Sequence, residues 1–179
     1  CAYMGDTLFP MVSRDDLLDQ INPLKKRFVR YASYADATME TIFPNVDLQS
    51  ALLFRATTFE TGIFFNEGNG RYVFRPLPLA AQFSPVRCAA ALDANKDGQM
   101  DLLLAGNRMD VRPEVGRMDA GQGLLLRNIG MGLFTPLPFI ESGVFLPDET
   151  TAISTLHLGK EQFLLVAGIL YPLTIVKPK

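Results

Sequence analysis

Between positions 93 and 101 the chain reads Asp93-Ala94-Asn95-Lys96-Asp97-Gly98-Gln99-Met100-Asp101. Oxygen-bearing side chains fall at the first, third, fifth and ninth places, with glycine at the sixth, a spacing by which a short loop curls around a hard divalent cation. Carboxylate and amide oxygens, with no cysteine or histidine among them, suit calcium or magnesium rather than zinc or copper. A flexible set of many oxygens favours calcium over magnesium, which demands an octahedron. The spacing assigns side-chain ligation to Asp93, Asn95, Asp97 and Asp101, a backbone carbonyl to Gln99 and the sharp turn to Gly98. The competing reading is a metal-free turn, since Asp, Asn and Gly favour turns anyway. Three carboxylates within nine residues weigh against it, because they repel one another unless a cation or water separates them.

An EF-hand would place a bidentate Glu at the twelfth position, where this chain has Leu104, and would run on into an amphipathic helix. Asp101 instead leads into the compact apolar run Leu102 to Ala105, ended by Gly106-Asn107, which reads as a buried strand.

Other chemistry is sparse. His157 is the only histidine and sits between Leu156 and Leu158, so it reads as a satisfied structural residue rather than a catalytic base. Gly68-Asn69-Gly70 lies between expected strands and is turn chemistry, with no helix behind it to cradle a phosphate. The best catalytic candidate is the polar excursion from 106 to 122, in which Asp110, Glu114, Arg117 and Asp119 are positioned to line a pocket. Paired carboxylates do acid–base work on glycosidic bonds, although loop carboxylates are more often simply solvated. Cys88, inside the apolar run Val86 to Leu92, reads as a small core residue. Cys1 opens the chain either as the lipid-bearing first residue of a mature lipoprotein or as a cut point in a larger chain, and the lack of a polar tether after it favours the cut. Two cysteines give no disulfide framework.

Composition bounds the partners. With 48% apolar residues the chain is globular, and a net charge of −2 provides no basic field for nucleic acid. The longest apolar run, residues 163 to 171, is far too short to span a membrane.

Two textures divide the chain. Residues 1 to 12 read as irregular. Ser13-Arg14-Asp15-Asp16 then resembles a capping box, opening a short helix with Leu17, Leu18 and Ile21. After Asn22-Pro23, the spacing of Leu24, Phe28, Ala32, Ala35, Met39 and Ile42 predicts an amphipathic helix of about five turns ending near Phe43-Pro44. Lys25, Lys26, Arg27 and Arg30 fall mostly on its outer, solvated face. After Asp47 the pattern turns to strands: Leu52 to Phe59, Gly62 to Asn66, Arg71 to Phe74, Val86 to Leu92, Leu102 to Ala105, Gly123 to Asn128, Thr151 to Leu158, Gln162 to Leu170 and Leu173 to Val176. No helix is expected after Phe43.

The strand half repeats itself at a shift of 62: Gly62 to Tyr72 matches Leu124 to Phe134, sharing Asn-x-Gly-x-Gly-x-aromatic, and both copies soon reach Leu-Pro. The same shift carries Leu102-Leu103-Leu104-Ala105-Gly106 onto Leu164-Leu165-Val166-Ala167-Gly168. Four short strands in a unit of this length is the size of a propeller blade with one enlarged loop. In the last copy Gly159-Lys160-Glu161 replaces the cation loop, so that turn is expected to be metal-free.

The cation loop with its Leu-Leu sequel, and then Asn128-Ile129-Gly130-Met131-Gly132-Leu133-Phe134, resembles the FG-GAP/VCBS repeat of integrin-α-type β-propellers, common in secreted bacterial proteins. The match covers residues 52 to 140, and 150 to 176 by pattern only. The first and last copies lack a complete loop, and the phenylalanine-glycine-glycine-alanine-proline signature is absent. The resemblance implies calcium on Asp93, Asn95, Asp97, Gln99 and Asp101. It also implies a mainly β fold of two to three propeller-like, four-stranded antiparallel blades: an N-terminal helical insertion over 1–50, a partial blade over 51–82, a complete blade over 83–142 and a partial one over 143–179. So few blades cannot close a ring, so the remaining blades of a longer chain, or self-association, must cover the flanks. The expected function is non-enzymatic recognition of a protein or glycan by a calcium-stabilised module outside the cytoplasm, where calcium suffices for loops binding at about 10⁻⁴ to 10⁻³ M. The alternative is a carbohydrate-active enzyme, or a fragment of one, with the 106–122 loop at its site.

Overall fold

The computed structural model describes residues 1–43, 48–113, 115–159, 161–169 and 171–177. Pro44, Asp47, Glu114, Lys160 and Leu170, which figure in the sequence reading, lie outside these ranges. The chain divides into two compact units, Cys1–Thr57 and Thr58–Lys179.

The first unit opens with a hairpin of β1 (Ala2–Met4) and β2 (Thr7–Phe9), where the sequence reads as irregular. Gly5, at φ 61, makes its turn, and three-residue strands are too short to show a period. Helix α1 (Arg14–Gln20) starts where the Ser13 hydroxyl accepts the N–H of Asp16 at 3.2 Å. The expected five-turn helix does not form. Its place is taken by a 3₁₀ turn over Asn22–Lys26, α2 (Tyr31–Ala35) and α3 (Met39–Ile42), the last capped by Thr38.

The reason is packing. One long helix would show its apolar stripe to solvent along its whole length, whereas the broken chain folds back and buries Leu17, Leu18, Phe28, Ala37 and Ile42 together. Two arginines satisfy the backbone at the breaks: Arg14 donates to the carbonyls of Phe28 (2.7 Å) and Val29 (2.9 Å), and Arg27 donates to those of Ile42 (3.1 Å) and Thr41. Leu52 to Phe59, expected as a strand, joins no sheet. Leu52, Phe54 and Phe59 are 86%, 88% and 85% exposed, and β propensity without a neighbouring strand leaves the backbone to water.

The second unit is mainly β, and all its strand pairs are antiparallel. Strands β3 (Gly62–Gly68) and β4 (Arg71–Pro76) form one hairpin. Strands β5 (Val86–Leu92), β6 (Asp101–Gly106), β7 (Leu124–Asn128) and β8 (Phe134–Leu137) form a four-stranded meander in chain order. Strands β9 (Thr150–Leu158), β10 (Glu161–Gly168) and β11 (Thr174–Val176) form a three-stranded one. None of these sheets closes on itself among the described residues. Among the described residues of this unit, two short helical turns interrupt a stretch expected to have none, a 3₁₀ turn at Leu79–Gln82 and α4 at Phe139–Ser142. Each comes directly after a proline, Pro78 or Pro138, whose fixed φ starts the turn, and four residues are too few to register as a periodic signal.

The two inner strands of the four-stranded sheet, β6 and β7, are covered on both faces, while the edge strand β5 leaves Ala89 and Ala91 exposed. On one side Ala90, Leu92, Leu103 and Leu125 meet Leu164 and Val166 of β10 with Val144 and Leu146. On the other, Leu104 and Leu126 meet Leu77 and Ala81, with Ile63 of β3 at the edge. A strand covered on both sides must be apolar throughout, which is why β6 reads Leu-Leu-Leu-Ala without alternation. Each such leucine stabilises the fold by about 2 kcal/mol.

The repeat has a structural counterpart. Asn66 Oδ1 accepts the N–H of Gly68 at 2.8 Å, and Asn128 Oδ1 that of Gly130 at 2.9 Å. Each turn then holds three consecutive positive φ values, 86, 51 and 75 over Gly68-Asn69-Gly70 and 90, 54 and 72 over Gly130-Met131-Gly132. Strand β5 packs beside β9, its partner at the same shift.

Candidate metal centre

Residues 93–100 connect the edge strand β5 to the inner strand β6. The connection is drawn inward by its own side chains. Asp93 accepts the N–H of Asp97 at 3.1 Å and of Gly98 at 2.9 Å, one on each carboxylate oxygen. Asn95 Oδ1 also accepts from Asp97 N, at 3.2 Å, while its amide donates to Asp97 Oδ2 at 2.7 Å. Asp97 Oδ1 in turn accepts the N–H of Gln99 at 2.7 Å. That bond, then the one from Asn95, holds the Asp97 carboxyl below the usual carboxylate range. Lys96 (φ 61) and Gly98 (φ 84) supply the left-handed residues that the curl needs.

Asp101 is different. It is 1% exposed and opens β6, with Oδ2 accepting Ala94 N at 3.1 Å and Oδ1 accepting Asn128 N at 2.8 Å. Asn128 returns a bond from its amide to the carbonyl of Met100 at 3.1 Å. The ninth position of the loop thus ties it to the turn after β7, a role that sequence spacing alone does not reveal.

These side chains fit a hard cation by donor chemistry, being all oxygen and confined to one curled loop. Among the described residues no three acidic, histidine or cysteine side chains stand gathered at one point. Hydrogen bonds join Asp93, Asn95 and Asp97 to one another's backbone or side chains, whereas Asp101 accepts one backbone N–H on each oxygen, which leaves each a further acceptor site.

No known family model, curated protein or solved structure matches this chain.

Three other candidates stand apart from the loop. His157 lies on β9 opposite Gln162 and is exposed, so it is not the packed residue expected from its apolar neighbours, which face elsewhere by strand alternation. Cys88 is half-buried, its thiol directed at the carbonyls of Ala105 (3.5 Å) and Thr150 (3.8 Å), and burial pushes its pKa up. In the polar excursion Asp110, Arg117 and Asp119 are exposed, and Arg117 and Asp119 border the same surface depression while Asp110 does not.

The excursion that carries them is firmly held. Arg108 and Met118 exchange backbone bonds at 2.9 and 3.0 Å. Asn107, 1% exposed and at φ 74, donates to the carbonyls of Gly121 (2.7 Å) and Pro147 (2.8 Å) and accepts from Gly121 N (2.9 Å) and the Ser84 hydroxyl (2.5 Å). Buried Glu149 accepts the N–H of Met109 at 3.2 Å and pairs with Arg87. Sequence reasoning missed Asn107 and Glu149 as organisers; the Gly106-Asn107 pair at a strand end was the available signal.

Proposed function

We propose that this chain is a calcium-stabilised, propeller-type module that recognises a protein or glycan outside the cytoplasm and is not an enzyme. One observation carries the reading: an all-oxygen loop curls around its own backbone between the edge strand β5 and the inner strand β6, which is buried on both faces. Calcium would be held by Asp93, Asn95, Asp97, the Gln99 carbonyl and Asp101, and would neutralise carboxylates that otherwise repel. The ion's role in this reading is structural.

The blade assignment rests on sheet order and repeat. In it, 51–82 is a partial blade, 83–142 a complete one and 143–179 a second partial one, with 1–50 a helical insertion. The matched Asn-Gly-Gly turns, and the packing of β5 beside β9, support it. The outer face of the β3–β4 hairpin leaves Phe64 66% and Tyr72 60% exposed, which suits a further sheet of the same kind, from a longer chain or a second copy. Among the described residues no helix is long and apolar enough to cross a membrane.

A second reading, a carbohydrate-active enzyme, has one observation in its favour: Arg117 and Asp119 border one depression. A glycan screen scored for both retention and product release separates the two. Retention without turnover supports the module; turnover abolished by Asp119→Asn supports the enzyme.

A further inference from the structure

The end of the four-stranded sheet away from the cation loop holds a cavity of about 280 Å³. Its lining is mainly apolar, with Val86, Leu104, Leu124, Leu137 and Phe139, and includes the polar residues Ser84, Asn107 and Gln122. An adjoining depression shares Phe83, Ser84, Pro85 and Ala120 with it, and adds Arg117 and Asp119. Arg117 and Asp119 are both exposed and make no ion pair with each other or with another described residue.

The 107–123 excursion, which contributes lining residues to both spaces, is long for a connection between neighbouring strands, and such loops are commonly functional. This one is braced rather than loose. It is fixed by the left-handed, fully hydrogen-bonded Asn107, by the Arg108–Met118 bridge and by buried Glu149. Asparagine tolerates the left-handed conformation that Asn107 holds at φ 74, and its four hydrogen bonds fix the base of the excursion in one shape.

We infer that the cavity and its charged rim bind a small zwitterion with an apolar body, of the build of an apolar α-amino acid. The apolar side chain fills the cavity, its carboxylate meets Arg117 and its ammonium meets Asp119. A cavity of this size with a mainly apolar lining takes a phenyl or branched aliphatic group. A cation and an anion that border one depression, neither with an ion pair to a described residue, complement a ligand carrying both charges better than one carrying either alone. This inference rests on the reading of the chain as a recognition module, but not on the calcium loop, which lies at the other end of the sheet.

The test is an NMR titration of the whole chain with L-phenylalanine, 3-phenylpropionate and phenethylamine, run in calcium and again in chelator. L-Phenylalanine should bind with a dissociation constant of about 1 mM, the strength expected of a ligand this small. Each analogue lacking one charge should bind roughly three- to fivefold more weakly, as exposed ion pairs allow. Arg117→Gln should erase the preference over phenethylamine, and Asp119→Asn the preference over 3-phenylpropionate. Ala120→Trp, at an exposed position, should block all three while leaving the melting temperature in place. Equal binding of the three compounds, binding unchanged by Ala120→Trp, or no binding of L-phenylalanine at ten times that concentration would each overturn the inference. A loss of calcium binding with amino-acid binding intact would instead count against the metal assignment alone.

Discussion

Asp101 accepts the backbone N–H of Asn128 at 2.8 Å, so the last residue of the 93–101 loop also fixes the first residue of the turn after β7. Its second oxygen accepts Ala94 N, at the loop's entrance. Two strand connections are therefore pinned by one buried carboxylate.

Replacing it should be costly with or without metal. Asp101→Ala leaves two backbone N–H groups unsatisfied in a site that is 1% exposed, and should destabilise the protein by about 2–4 kcal/mol. Asp101→Asn, which keeps one acceptor, should cost less. Urea unfolding in chelator measures both, and a neutral Asp101→Ala would mean that water already serves these groups.

The two Asn-Gly-Gly turns share their backbone but not their surroundings. Gly70 (φ 75) has open space where a Cβ would stand, whereas at Gly132 (φ 72) a Cβ would come within 2.8 Å of the Phe65 ring. Gly70→Ala should cost only the left-handed conformation, about 1 kcal/mol. Gly132→Ala adds an overlap, so its loss of stability should be at least twice as large by thermal unfolding. Equal losses would place the Phe65 contact in doubt.

Burial raises the pKa of Cys88, with Arg87 opposing it only in part, while Cys1 is exposed. The thiolate is the reactive form, so at pH 8 iodoacetamide should modify Cys1 well before Cys88. Because the folded pKa is raised, the favourable burial of the neutral thiol is fully present below the ordinary thiol pKa and is lost as pH rises through the folded value. The alkylation gap should therefore narrow only in strongly alkaline solution. Mass spectrometry of the labelled peptides reads the order directly.

How far the chain can be read in advance depends on where each signal is local. The paired turns at Asn66 and Asn128 and the apolar run of β6 are legible because glycine spacing and unbroken leucines report backbone geometry and double burial directly. The helix expected over 23–43 fails because the period is only partly the buried set: Leu24, Phe28 and Ile42 do join the core of the folded-back chain, but Ala32 and Ala35 are exposed and Ala37, off the predicted stripe, is buried instead. The strand expected over Leu52 to Phe59 fails because propensity cannot supply a neighbouring strand. At the candidate site, the spacing of Asp93, Asn95 and Asp97 is visible, but the bond from Asp101 to Asn128 spans 27 residues and leaves no local trace. Asn107 is hidden for the same reason, its partners reaching as far as Pro147.

The central claim is that the loop from Asp93 to Asp101 holds calcium, and isothermal titration of calcium into the wild-type chain and Asp97→Ala tests it most directly. The wild type should bind one ion, and its melting temperature should rise with calcium. Asp97→Ala should bind none and should melt with the wild type in chelator, because the Asp97 carboxylate is exposed and makes only local bonds. Calcium binding of equal strength in the variant, or none in the wild type at millimolar calcium, would contradict the account.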